Sequence, residues 1–479
     1  MSDFLFTIRR DGGVQLDSYE GNDRRVVIPP LWEDHPVTLI GDSAFSWHTE
    51  IESITLPDTV TTIGEAAFSW CESLKEISLP ASVSVIGEWA FIGCASLQSI
   101  TLPSAVRKIN YSTFQSCISM TSVTLPSQLQ SIGPEAFSEC RSLKKIDFPA
   151  GLKTIGECAF AACETLSTLR LPDQLTEIGT NAFSGCSSLD SFRMSENHPI
   201  FQASDGVLIN HVEHKLLFYP FHRRTRVYEV PDGIRSIGEE AFAGCISLER
   251  IILPSSVCTI EQKAFYGCKS LREIVLPDTL ARIDPYAFHS CSALQEITLP
   301  ADLLCVSYSM FYACTSLQKV VLPEGLKEIS ACAFSGCQSL SEIQFPQGLT
   351  EIQASAFEGC RSLEEITLPP SLDMLGSHAF GSCELLDSIT MECRVTELPD
   401  RLFARCQNLN QVILPEKLFR IGREVFDGCK NLLSLQIPRS VQEIEPDAFQ
   451  DCDHLMLFVY PRSCAKRYAE EMDMLYTQL

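Results

Sequence analysis

Leu271–Ala293 reads LREIVLPDTLARIDPYAFHSCSA, and Leu294 starts the same pattern again with LQEITLP. The unit is L-x-x-I-x-L-P-x-x-L-x-x-I-G-x-x-A-F-x-x-C-x-x, 23 residues long. Its phenylalanine recurs at Phe45, Phe68, Phe91, Phe114, Phe137, Phe160 and Phe183. After one break it returns at Phe242, Phe265, Phe288, Phe311, Phe334, Phe357, Phe380, Phe403, Phe426 and Phe449. A fixed period in the twenties is the mark of a solenoid, in which one coil buries its apolar side only against its neighbours. An open stack of this kind has no size limit, so 479 residues need not mean several closed domains.

Within the unit, L-x-x-I-x-L alternates like a short strand, and the proline after it cannot donate to a ladder, so it marks a corner. The segment I-G-x-x-A-F-x-x-C reads as one helical turn, with a second short strand around the isoleucine. Pro134, Pro285 and Pro446 follow the glycine position, and proline suits the first residue of a helix. Gly93, Gly185, Gly244, Gly267, Gly336, Gly359 and Gly428 precede the cysteine and suit a left-handed residue ending the turn. The expected fold is an α/β repeat protein: a right-handed solenoid of about seventeen 23-residue coils with a parallel β-sheet on one face.

Sixteen of the 22 cysteines stand three residues after a repeat phenylalanine, from Cys71 to Cys452; the first coil has His48 there. A residue recurring once per coil at one position is a packing ladder, and buried cysteine acts as a small apolar group with a weak donor. The rungs point the same way, not at one another as a disulfide requires, so reduced thiols are expected. Cys158, Cys258, Cys305, Cys332, Cys393 and Cys464 follow no column.

Five segments follow in order. Residues 1–44 form an amino-terminal cap, in which Phe4, Phe6 and Ile8 alternate and Asp11-Gly12-Gly13 supplies a hairpin turn. Residues 45–194 are repeats. Residues 195–230 break the rhythm, since Phe183 to Phe242 spans 59 residues, or 23 plus 36. That segment is apolar and alternating, and is expected to be a β-hairpin projecting from one coil. Repeats resume over 231–457, with Met391-Glu392 where Leu-Pro is expected. Residues 458–479 form a closing cap, with Ser463 as N-cap of a short helix.

These units resemble the BspA-like leucine-rich repeat family, whose repeat has the same L-x-x-I-x-L-P-x-x-L-x-x-I-G-x-x-A-F-x-x-C form. ASDGVLINHVEHKLLFYP is similar to a hairpin coil common in that family, and SCAKRYAEEMDMLY to its closing helix. The resemblance implies a protein that acts by binding, frequently at a bacterial surface, with no shared catalytic residues.

The charge of −24, from 61 acidic and 37 basic residues, argues against nucleic-acid backbones and anionic membranes as partners. No metal or other cofactor is expected. His211 and His214 have ligand-like spacing but no completing Cys or carboxylate set, and no nucleophile-elbow, phosphate-loop or zincin motif occurs. MSDFLFTIRRDGG lacks a basic segment followed by an apolar one, so a monomeric cytoplasmic protein is expected, with surface exposure as the alternative. The best candidate surface is the strand face. Ile252, Val275, Thr298, Val321, Thr367 and Ile413 point outward there, beside Glu273, Glu296, Glu342 and Glu365, a pattern suited to an extended and possibly basic peptide. Secondary candidates are Trp47 with Trp70, and the basic run His222, Arg223 and Arg224. Two functions follow: a non-enzymatic scaffold for protein–protein interaction, or an adhesin-like surface protein that binds host proteins or glycans.

Overall fold

The computed structural model describes residues 3–221 and 223–479. The chain divides into two compact units, Met1–Val212 with Leu217–Arg223, and Glu213–Leu216 with Arg224–Leu479. Both are built from the same coil. Its L-x-x-I-x-L strand pairs in parallel, in register, with the strand 23 residues on: Ser53–Thr55 with Glu76–Ser78 in the first unit, Arg250–Ile252 with Glu273–Val275 in the second. The isoleucine before the glycine makes a second parallel ladder, as in Thr62–Ile63 with Val85–Ile86 and Thr259–Ile260 with Arg282–Ile283. Each coil therefore contributes to two ladders, where the sequence reading had one sheet.

The remaining side of the coil differs from the expectation of a helical turn. In every turn but the last, two residues have positive φ, two before and two after the phenylalanine: Ala66 (51°) and Trp70 (58°) flank Phe68. Seven glycines hold the second position as expected, but serine, alanine, glutamate, tryptophan, arginine and aspartate occupy it elsewhere. Such a residue costs on the order of 1 kcal/mol or more. The alternation turns every other N–H along the stack axis. The Ala66, Phe68 and Trp70 amides donate to the carbonyls of Glu88, Ala90 and Ile92 in the next coil at 2.7–2.8 Å, while Ser69 and Cys71 bond back within the turn. This is a third inter-coil ladder, and it is not a helix. Among the described residues the only α-helix is Cys464–Glu471.

Inside this ladder the phenylalanine rings stack face to face. Centroids lie 5.2–5.9 Å apart from Phe45 to Phe183 and 5.2–6.1 Å apart from Phe242 to Phe449. Beside them, fifteen of the sixteen ladder thiols donate to the phenylalanine carbonyl of the preceding coil at 3.0–3.3 Å. All sixteen are buried, and every cysteine is free.

The strand is shortened in the two coils that carry phenylalanine where leucine precedes the proline. Phe148 and Phe345 set their rings edge-on to Phe160 and Phe357. Their strands shrink to an isolated bridge at Lys145 and to the two residues Glu342–Ile343. Met391, by contrast, fills the leucine site and is buried.

The ends are closed as the sequence suggested. Phe4–Ile8 and Val14–Tyr19 form an antiparallel hairpin, Trp32 stacks on Phe6 at 4.7 Å, and Tyr19 covers Phe45. Ser463 Oγ accepts from the Lys466 amide at 3.1 Å, capping Cys464–Glu471, and Tyr468 lies edge-on to Phe449. The added hairpin is Phe201–Ser204 against Val207–Asn210, turning at Asp205-Gly206 with φ of 50° and 80°. It does not project: Val207, Leu208, Ile209 and Asn210 are all buried, and Leu208 lies in the core of the first unit.

A thiol titration should therefore find at most the six off-column cysteines reactive in the native protein and all 22 after denaturation. Burial pushes the thiols of Cys71, Cys140, Cys186, Cys314 and Cys452 up to about 12 from an ordinary 9.0. A group raised on folding stabilises fully below its unfolded value and loses that contribution as pH climbs to the folded value. Thermal unfolding should thus move little up to pH 8.5 and fall steeply between pH 9 and 12, by up to about 1.4 kcal/mol per thiol per pH unit. A flat alkaline profile would contradict the buried ladder.

Candidate functional site

The strand face of the second unit presents its third residue outward. Val275, Thr298, Val321, Thr367 and Ile413 are exposed and Ile252 is half-buried, with in-register partners 23 residues apart. Glu273, Glu296, Glu342 and Glu365 open their strands and are exposed too. Two of the four are engaged by the neighbouring coil: Glu273 meets Arg250 at 3.2 Å, and Glu342 meets Lys319 at 3.0 Å. The acid of this face is thus partly neutralised. Where Phe345 shortens the ladder, an open depression of about 670 Å³ forms, lined by Lys319, Val321, Glu342 and Gln344 among others.

The secondary candidates fare differently from one another. Trp47 and Trp70 stack at 5.2 Å and 11°. A Cβ at Gly93 would collide with the Trp70 ring, so glycine lets that ring lie flat on the third coil. Trp47 is 64% exposed, so the pair lies on the surface and does not cover the core. Arg223 is half-buried, set over the Tyr219 ring at 5.7 Å and 3.6 Å from Asp205. Arg224 is exposed, and His222 lies outside the described residues. The nearby histidines are structural in their bonding. Buried His198 accepts the Ile200 and Phe201 amides at Nδ1 and meets the Pro172 carbonyl with Nε2 at 3.1 Å, while His211 Nε2 meets the His198 carbonyl.

A further surface feature escaped the sequence reading. One residue after the phenylalanine, Tyr266, His289 and Tyr312 stand in successive coils and stack at 4.7 and 4.8 Å. Tyr286 packs against His289 at 5.8 Å, and edge-on against Tyr308 at 5.2 Å. Five rings thus form one connected row on the turn side. Tyr266, Tyr308 and Tyr312 remain 40%, 43% and 39% exposed. Burial between the tyrosines holds the His289 imidazole below its usual pKa, so it is neutral at pH 7, and its Nδ1 lies 2.9 Å from Ser290 Oγ. The signal was present in the sequence as the 23-residue spacing of Tyr266, His289 and Tyr312, each one position after the repeat phenylalanine.

Comparison with known proteins fixes the class of this architecture. The chain matches the BspA type leucine rich repeat region over residues 38–138, 107–205, 218–341 and 327–456. It belongs to that family. No curated protein matches it. Among solved structures it is similar to a leucine rich cell surface protein from Faecalibacterium prausnitzii A2-165, at 27% identity, covering 86% of this chain and 93% of that one with a TM-score of 0.54. It is also similar to a leucine-rich repeat protein from Bacteroides ovatus, at 25% identity over 100% and 99% of the two chains with a TM-score of 0.48. A third, from Eubacterium ventriosum, is 19% identical over 94% and 93% with a TM-score of 0.44. Among the described residues no helix is long and apolar enough to cross a membrane.

If the strand face binds a basic ligand, Glu273→Gln, Glu296→Gln, Glu342→Gln and Glu365→Gln together should weaken that binding and flatten its salt dependence. Stability should change by no more than about 1 kcal/mol per lost surface pair. Titration of a lysine-rich peptide at two ionic strengths, beside a thermal melt, reads both effects. Unchanged affinity and unchanged salt slope would remove this face from consideration.

Proposed function

We propose that the chain is a non-enzymatic leucine-rich-repeat scaffold that binds a protein partner through the surface of its coils. The observation that carries this reading is the row of Tyr266, Tyr286, His289, Tyr308 and Tyr312, in which Tyr266, Tyr308 and Tyr312 are exposed. Tyrosine is enriched at the centres of protein interfaces because it brings large rigid area and a polar tip. Within the row only His289 has both faces covered, by Tyr266 and Tyr312, so the tyrosines supply outward area together with their hydroxyls.

The adhesin-like alternative has one observation of its own: Trp47 keeps one face open beyond its stack on Trp70, which suits a sugar ring or an aliphatic side chain. The Faecalibacterium relative, 27% identical, is described as a cell surface protein, which supports surface exposure. Affinity capture with the intact protein, followed by titration of the purified partner, separates the two readings. Tyr266→Ala with Tyr312→Ala should lower partner affinity by roughly tenfold or more and leave the melting curve close to that of the parent. A glycan-array signal abolished by Trp47→Ala, with partner affinity indifferent to the tyrosines, would replace the scaffold reading with the adhesin-like one.

A further inference from the structure

The third ladder ends without an acceptor. In the last full pair of turns the Phe426 amide donates to the Ala448 carbonyl at 2.9 Å and the Gly428 amide to the Gln450 carbonyl at 3.0 Å. The same positions one coil later are Phe449 and Asp451, and Asp451 keeps the positive φ of 54° that turns its amide along the stack. No described residue accepts from either amide. Both residues line a cleft of about 550 Å³ between this turn and the closing helix, whose opposite wall includes Tyr468, Met472 and Asp473. The Asp447 Oδ1 atom is also buried at this cleft and has no hydrogen-bond partner.

We propose that this cleft binds an extended, lysine- or arginine-bearing peptide segment of a partner protein. Its backbone carbonyls take the place of the next coil on the Phe449 and Asp451 amides, in the manner of strand addition at a sheet edge. Its cationic side chains pair with Asp451, Asp453 and Asp473, while Met472 and Tyr468 supply apolar contact. Four carboxylates and no basic side chain line the cleft, so a cation is favoured over an anion despite the free amides. A metal ion does not fit, because no group of three or more suitable side chains among the described residues converges on a point. The site is independent of the tyrosine row, so either can fail alone.

The probe is a fluorescent acetyl-Lys-Val-Lys-Val-Lys amide titrated into the intact protein by anisotropy. Saturable binding is expected, weakened about tenfold or more by Asp451→Asn with Asp473→Asn and unchanged by Glu76→Gln with Glu177→Gln, exposed acids of the first unit outside every candidate surface. A linear polyamine of equal charge should compete poorly, since it has no carbonyls for the two amides. Equal competition by the polyamine, loss in the Glu76→Gln with Glu177→Gln variant alone, or no saturable binding would each overturn the assignment. So would a dimer in sedimentation that Asp451→Asn with Asp473→Asn dissolves, which would give the cleft to a second copy.

Discussion

A buried backbone carbonyl offers two lone pairs, and fourteen of the seventeen repeat phenylalanine carbonyls fill both. One takes the amide three residues on, as from Cys94 to Phe91 at 3.2 Å, and the other takes the thiol of the next coil, as from Cys117 to Phe91 at 3.2 Å. The rest of the coil depends on this joint. It sets the stacking of the rings and the register of the strands, since the thiol reaches its acceptor only when coils are offset by one full period. It also explains the residue type. Serine would donate equally well but would bring a strong acceptor into an apolar column with nothing to satisfy it. Sulfur is a weak acceptor, so the thiol donates one bond and leaves no debt of its own.

The solenoid was legible because one residue type marked one position with no drift in period. Both ends were legible too, through the Asp11-Gly12-Gly13 turn and Ser463, since hairpin turns and helix caps carry local chemistry. The turn was misread as helical for a physical reason. Proline after the glycine and glycine before the cysteine fit either conformation, and what decides between them is the bond each amide makes 22 residues away. Ser116, Glu139 and Ala162 accept positive φ in the turn's second position because an inter-coil hydrogen bond compensates, and no local propensity reveals that. The hairpin at Phe201–Asn210 looked like a projection from its alternation alone, yet both faces of Val207–Asn210 are covered.

The candidate surfaces were legible in proportion to how far they rested on spacing. The outward column from Ile252 to Ile413 followed from period-2 alternation, and the structure places it outward. What spacing did not supply was the pairing of Glu273 with Arg250 and Glu342 with Lys319, because ion pairs depend on rotamers as well as register. Arg223 looked like part of a free basic run and is held by Tyr219 and Asp205, a contact made across the chain's one irregular segment.

In-register stacking makes identity at a single site less informative than the column to which it belongs. Rings in one column lie about one strand spacing apart and stack on each other, so both faces of His289 are taken up between Tyr266 and Tyr312. Opposite charges in one column pair between coils, as Arg401 does with Glu424 at 2.7 Å and Arg420 with Glu443 at 3.6 Å. Such pairs are worth little to stability, but they withdraw their charge from any partner. What the surface can offer a ligand is then the residue of this internal accounting: column positions whose neighbours do not match them. Glu365, in register with Ser388, is such a position on the strand face, and the amides of Phe449 and Asp451 are its backbone counterpart, matched everywhere in the second unit until the coils stop.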